Sequence, residues 1–269
     1  MRQKKSLGQN FLIDKNIAKK IVRSAKISKT DIVWEIGVGK GILTNEILKN
    51  CRKLVAFEID KNWVEYLKTK IDPDYVGTKL EIIHSDILKA NFNEFAEPKK
   101  IKIIANLPYQ ITSPFIFKVL EHREMFSLIT IMIQREVAER IVSNAGGREY
   151  GRISVKTQLF FDLSKLFHVP PHLFKPQPKV VSTVIQMKPK AGKLEVENQN
   201  LLFAIIDKSF QQRRKMLRSS LKNFIKDCSI NSIEFDLTKR PEQLTTADFI
   251  ELANEVDRCC FNHQNNAVK

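Results

Sequence analysis

The chain has 269 residues, 43% of them hydrophobic, enough to build one large domain with a smaller one, or two modest domains. Its 45 Lys and Arg against 30 Asp and Glu leave a net charge of +15, a field that attracts polyanions, nucleic acid first among them. Cys51, Cys228, Cys259 and Cys260 form no CxxC pair and no Cys/His metal spacing, and no apolar run reaches the length of a signal-peptide core or a membrane span. The expectation is a soluble cytoplasmic protein without a metal site.

In chain order, Ile13, Ile17, Ile21 and Val22 recur at helical spacing and predict a helix near Lys15–Lys26, with Asp14 as its N-cap. Short apolar runs predict strands at Ile32–Ile36, Leu54–Ile59, Leu80–His84, Ile101–Ala105, Leu128–Ile133 and Val180–Met187. Helical patterns fall near Ile42–Lys49, Trp63–Lys70, Ile116–His122 and Arg135–Val142. This alternation predicts an α/β fold, a mostly parallel sheet covered on both faces, with ligands at the carboxyl edge of its strands. Lys188-Pro189-Lys190-Ala191-Gly192-Lys193 breaks the pattern and reads as a linker. Beyond it, Phe203, Ile206, Phe210, Leu217, Leu221 and Phe224 fit one helical face, and Leu237–Val256 offers one or two more helices. The expected organisation is a cofactor-binding domain over 1–188, with the basic N-terminal helix included, and a small helical RNA-binding domain over 189–269.

The first strand, Ile32–Ile36, runs into Gly37, Gly39 and Gly41 and then a helix. Glycines there let backbone pass close to a ligand. The spacing is GxGxG, not the GxGxxG of dinucleotide binders, and suits a phosphate-free nucleoside cofactor, S-adenosylmethionine, whose methionine part and ribose the loop would cover. Glu58 ends the next strand, 17 residues past Gly41. That is close to the roughly 20-residue offset at which a carboxylate meets both ribose hydroxyls. Asp60 is the alternative for that role. Asp86, after the third strand, is placed to accept from the adenine amino group, although an isolated aspartate there is more often a helix N-cap.

Asn106-Leu107-Pro108-Tyr109 follows the fourth strand. An exocyclic amine on an aromatic base is a poor nucleophile, because its lone pair is delocalised into the ring. The Asn106 side-chain oxygen and a carbonyl near Leu107 or Pro108 can accept its hydrogens as it pyramidalises, and Tyr109 can stack on the base. A base in structured nucleic acid must be unstacked for this chemistry. The basic residues fall in two clusters. One is Lys4, Lys5 and Lys15 at the first helix; the other is Lys208, Arg213, Arg214, Lys215, Arg218 and Lys222 in the C-terminal part. Arg214, Arg218 and Lys222, at i, i+4 and i+8, are expected to form one cationic stripe for phosphates.

Several further segments carry a specific resemblance: Lys5-Ser6-Leu7-Gly8-Gln9-Asn10-Phe11-Leu12, the Glu35–Thr44 loop, Glu58-Ile59-Asp60, Asn106-Leu107-Pro108-Tyr109, Gln134–Arg140, Tyr150-Gly151-Arg152-Ile153-Ser154-Val155, Val169-Pro170-Pro171, Phe174–Val180 and Phe210-Gln211-Gln212-Arg213-Arg214-Lys215. In this order, from about Lys4 to Leu244, the chain resembles the ribosomal RNA adenine dimethyltransferases of the KsgA type. The resemblance implies a Rossmann-like class I methyltransferase sheet with a small C-terminal helical domain. It also implies S-adenosylmethionine-dependent dimethylation of N6 of two adjacent adenosines near the 3′ end of small-subunit rRNA, in an immature ribosomal subunit, by a monomer. Carried over by motif, the cofactor contacts are Asn10, Leu12, Gly37, Gly39, Glu58, Asp86 and Asn106. Asn106, Leu107, Pro108 and Tyr109 surround the target amine, with Phe174 at the aromatic position that sandwiches the base opposite Tyr109. Val38 stands where the family usually has proline, and Lys40 sits inside the glycine loop. Three rival readings are the large-subunit rRNA adenine methylase of the macrolide-resistance type, a largely non-catalytic assembly factor and a DNA adenine methylase; retention of Glu58 and Asn106 argues against the second, and Asn106 where DNA adenine methylases typically carry Asp argues against the third.

Overall fold

Ile32-Val33-Trp34-Glu35-Ile36 is buried at all its positions, which is the pattern of a strand covered on both faces. It is β2 of a computed structural model that describes residues 9–225 and 233–261. The other strands are β1 (Phe11–Leu12), β3 (Lys53–Glu58), β4 (Leu80–His84), β5 (Ile101–Asn106), β6 (Phe126–Gln134), β7 (Phe161–Val169), β8 (Phe174–Lys175) and β9 (Ser182–Pro189). The helices are α1 (Lys15–Ser24), α2 (Ile42–Leu48), α3 (Lys61–Lys70), α4 (Thr112–Glu121), α5 (Arg135–Val142), α6 (Arg152–Phe160), α7 (Gln199–Gln211), α8 (Leu217–Leu221) and α9 (Thr246–Phe261).

Seven strands form one sheet in the order β4-β3-β2-β5-β6-β9-β7. The first five are parallel, while β9 runs antiparallel to both β6 and β7. The chain order reverses between β2 and β5, the switch point at which open α/β sheets bind ligands. Trp34 is fully buried on β2 and meets Phe57, Phe92 and Phe126 edge-on, with ring centroids 5.1 to 5.6 Å apart. A second apolar layer is built from Ala18, Ile21 and Val22 of α1 and Leu43, Ile47 and Leu48 of α2.

The strands and helices expected between Lys15 and Met187 are present within a few residues of their predicted bounds. Asp14 caps α1, its Oδ1 accepting from Ile17 N–H at 2.7 Å. Four elements had no counterpart in the sequence pattern: α6, β7 that follows it without a turn, and the short antiparallel strands β1 and β8. The buried faces of α6 spread around the helix instead of forming a stripe, and β7 mixes exposed and buried positions around a register shift between Lys165 and Phe167, so neither shows a clean period.

The chain divides into two compact units. One holds residues up to Ala138 together with Phe161–Lys190; the other holds Glu139–Phe160 with the chain from Ala191 onward. This division differs from a single cut at 188/189, because α6 packs against α7 and α9 and so joins the helical unit. In that unit Tyr150, Phe210 and Phe249 form a ring cluster, and Lys156 pairs with Asp207 at 2.8 Å while lying over the Phe203 ring. Among the described residues no helix is long and apolar enough to cross a membrane, and no group of three His, Cys, Asp or Glu is placed to hold a metal ion.

Candidate active site

The carboxyl ends of β2, β3, β4 and β5, four adjacent parallel strands, open on one cavity of about 230 Å³. Its lining includes Asn10 and Phe11 before α1, Gly37 and Gly39 after β2, and Glu58 and Ile59 after β3. Ser85–Leu88 after β4 and Asn106–Ile111 after β5 complete it. Among the described residues the lining contains two carboxylates, Glu58 and Asp86, and no Lys or Arg.

Gly37 and Gly39 have φ of +75° and +53°, a region L side chains rarely adopt. A Cβ on Gly39 would lie 2.6 Å from the Phe11 ring, so the loop's path depends on that hydrogen. Glu58 is buried and holds the loop in place. Its Oε2 accepts from Gly39 N–H at 2.9 Å and its Oε1 from Asp60 N–H at 3.0 Å. Burial pushes the Glu58 carboxyl above the usual range, while these backbone donors pull it back. Each oxygen retains a second lone pair that can serve a ligand hydroxyl. Asp60 does not line the cavity; it caps α3 through Asn62 N–H at 3.1 Å. Behind the loop, Glu35 is fully buried, with neither carboxyl oxygen hydrogen-bonded among the described residues. Burial pushes its carboxyl up to about 8; Thr44 beside it opposes the shift and the charge of Glu58 adds to it.

Asp86 lines the cavity and also closes its own turn, Oδ1 accepting from Leu88 N–H at 2.9 Å. The capping and ligand roles are therefore compatible. That turn is held from α4 by Lys118, whose Nζ donates to the carbonyls of Leu88 and Ala90.

Asn106 ends β5, and its Nδ2 donates to the Asn10 carbonyl at 3.1 Å. This bond orients the amide and leaves Oδ1 as the acceptor available to a ligand. Leu107 N–H is bonded to the Met132 carbonyl of β6, and its side chain is buried. The Pro108 carbonyl accepts from Ile111 N–H at 3.1 Å, closing a 3₁₀ turn over Tyr109–Ile111. Of the two carbonyls expected from sequence, that of Leu107 is the one this turn leaves for an amine. Tyr109 is half-buried, and its hydroxyl is 2.8 Å from Ser182 Oγ on β9. Burial raises the Tyr109 phenol above its usual value.

Two residues expected at the site have their side chains elsewhere. Phe174 is 3% exposed, pairs across β8 with Leu12, and belongs to the apolar core with Leu12 and Val169; it does not line the cavity. The antiparallel β1–β8 pair turns both side chains inward, so in this structure Phe174 is a core residue, not the second face of an aromatic sandwich. Leu12 is likewise a core side chain.

The C-terminal basic cluster also differs from expectation. α7 ends at Gln211, and α8 begins only at Leu217. Leu217 and Arg218 N–H groups bond to the carbonyls of Lys239 and Leu237, so the chain turns there instead of continuing one helix. Arg214, Arg218 and Lys222 are exposed but do not form a stripe on a single helix. Arg213 Nε donates to Glu242 Oε2 at 2.8 Å and its Nη2 to the carbonyls of Gly147 and Arg148, so it braces the helical unit. Lys215 is exposed, and Lys4 and Lys5 lie outside the described residues. Sequence reasoning missed Ser182, Lys118 and Ile59. Ile59 is a large apolar side chain, 45% exposed, in the cavity wall beside Glu58. An exposed isoleucine just after a strand-end carboxylate was the available signal for it.

The residue pattern of the family described as ribosomal RNA adenine dimethylase matches residues 1–258. The ribosomal RNA small subunit methyltransferase A of Francisella tularensis subsp. novicida (strain U112) is 42% identical over 257 residues, 94% of this chain and 97% of that protein. Its counterpart in Francisella tularensis subsp. tularensis (strain SCHU S4 / Schu 4) is 41% identical over the same shares. The crystal structure of a dimethyladenosine transferase from Plasmodium falciparum has a TM-score of 0.76 at 30% identity, covering 90% of this chain and 95% of that one. The 23S rRNA methyltransferase ErmE, at 24% identity and a TM-score of 0.69 over 92% of this chain and 100% of its own, shares the fold. With a family pattern over nearly the whole chain and such relatives along its length, the chain belongs to the ribosomal RNA adenine dimethylase family, enzymes that methylate rRNA adenine with S-adenosylmethionine.

Proposed function

We propose that this protein dimethylates N6 of two adjacent adenosines near the 3′ end of small-subunit rRNA, acting as a cytoplasmic monomer on an immature ribosomal subunit. The observation that carries the reading is the meeting of Glu58 and the Gly37–Gly39 loop with Asn106-Leu107-Pro108-Tyr109 around one cavity. The lining suits S-adenosylmethionine. It offers carboxylates to hydroxyl and amino groups, an apolar wall at Ile59 and, among the described residues, no cation for a phosphate. Glu58 would hold the ribose, Asp86 the adenine amino group, and Asn10 and the glycine loop the methionine part. When bound, the cofactor supplies an electrophilic methyl group on a sulfonium sulfur.

The chain's own groups prepare the amine. In the first transfer Asn106 Oδ1, oriented by the bond to Asn10, accepts one amine hydrogen and the Leu107 carbonyl accepts the other; in the second, the single remaining hydrogen engages one of the two acceptors. Together they draw the lone pair out of conjugation with the ring and stabilise positive charge as it develops on nitrogen. Pro108 contributes no competing N–H. Tyr109 presents its ring to the unstacked base, and its hydroxyl bond to Ser182 fixes the ring plane. No strong base is needed, since the proton leaves to water after transfer.

Relatives named for the small subunit favour that substrate over the large one. The test is to incubate the protein with labelled S-adenosylmethionine and undermethylated small subunits, large subunits or naked DNA, and to identify the labelled nucleoside. Dimethyladenosine in the small subunit alone is the expected result. Label in large-subunit RNA would instead assign the macrolide-resistance activity, and tight small-subunit binding without label would assign the assembly role.

A further inference from the structure

α1 carries Lys15, Lys19, Lys20 and Arg23 in ten residues without a single carboxylate, and exposed Lys26 follows at its end. At about 100° per residue the four helical cations occupy an arc of roughly 140°. That arc faces away from buried Ala18, Ile21 and Val22. None of the five forms an ion pair among the described residues; Lys20 alone has a ring partner, lying 4.1 Å over Phe167. Asp14 caps the helix, Asp31 pairs with Lys102, and Glu46 on α2, which packs against α1, pairs with Lys49. On α3, by contrast, Lys68 pairs with Glu65.

The helix is also tied to the site. Asn10 and Phe11 line the cavity, and Lys15 lies four residues beyond Phe11, within roughly 14 Å by chain length. The Ile13 N–H bond to the Leu173 carbonyl holds this connection in place.

We infer that the outer face of α1 is a docking surface for the phosphodiester backbone of the rRNA that carries the target base. It grips phosphates flanking the extruded adenosine and sets the register of the RNA on the cavity. Unpaired cations release counterions from RNA without first giving up an internal partner, so each contributes to salt-dependent binding. The inference rests on the rRNA substrate proposed above.

The test compares the wild type with the triple variant K15Q/K19Q/R23Q and with the control K61Q/K68Q/K70Q on α3, which removes the same charge from exposed positions. Binding to undermethylated small subunits is measured from 50 to 200 mM salt, together with KM for subunits, cofactor Kd and Tm. The expected result for the α1 variant is a loss of about 2 to 3 in the slope of log K against log salt, at about 0.7–0.9 per phosphate contact. KM for subunits should rise at least tenfold, with cofactor Kd and Tm unchanged, and the α3 variant should follow the wild type. An unchanged slope, or an equal change in both variants, would show that α1 is only a solvated face. A wild type that neither binds nor methylates small subunits would overturn the substrate assignment itself.

Discussion

Asn106 is the residue on which the proposed chemistry turns, because its amide is oriented by one bond and acts through the other end. Asn106→Ala should lower kcat by about 10²–10³, the usual effect of removing one preorganised group at a developing charge, with cofactor Kd changed far less. Single-turnover methylation and calorimetric titration of the cofactor separate the two. Ser182→Ala should act more mildly, raising KM for subunits and lowering kcat severalfold as the Tyr109 ring loses its anchor, and Ser182→Thr should restore most of both. Equal kinetics for the alanine and threonine variants would count against an anchoring role. Glu35 offers a test by pH. Its carboxyl is held up to about 8 in the folded chain and titrates near 4.5 when unfolded. Between those values the folded state binds the extra proton, so this group's contribution falls as pH rises from about 5 to 8. Glu35→Gln keeps the shape without the titration. Thermal unfolding across that range should show the Tm gap between variant and wild type shifting in favour of the variant as pH rises.

At the scale of elements, strands covered on both faces were legible because each is a short continuous apolar run, and the glycine loop because only glycine accepts its backbone angles. α6 and β7 were not legible: seven of the nine α6 residues are buried, including Ser154, Lys156 and Thr157, so no polar stripe marks a helix. The break between α7 and α8 was hidden for a different reason. Its turn is made by bonds to Leu237 and Lys239, far along the chain, while the local spacing of Arg214, Arg218 and Lys222 reads as helix. The role of Arg213 follows from that turn. Arg213→Ala should destabilise the protein by roughly 1–2 kcal/mol, through lost hydrogen bonds to Glu242 and to the 147–148 carbonyls, and leave the salt slope of RNA binding nearly unchanged. Arg214→Ala should do the reverse. Denaturant unfolding and salt-titrated binding decide the pair.

At the scale of the molecule, a net charge of +15 coexists with a cavity whose wall, among the described residues, has no Lys or Arg. Affinity for the cofactor should therefore vary less than about twofold between 50 and 200 mM salt, while affinity for small subunits falls tenfold or more. A cofactor Kd as salt-sensitive as subunit binding would place basic side chains in the cofactor site. Sequence alone determined the α/β class, the order of the strands that bear Gly37, Glu58, Asp86 and Asn106, and the family. Each of these rests on local signals: apolar runs, glycine spacing and a polar residue at a strand end. Tertiary structure decided which of the named groups are free to act. It directed Phe174 and Leu12 into the core, gave Arg213 to Glu242, left the Leu107 carbonyl open while closing that of Pro108, and left the α1 cations without an ion pair among the described residues. The physical reason is that a side chain's partner is set by what folds against it, and for Leu12, Phe174 and Arg213 that partner lies far away along the chain.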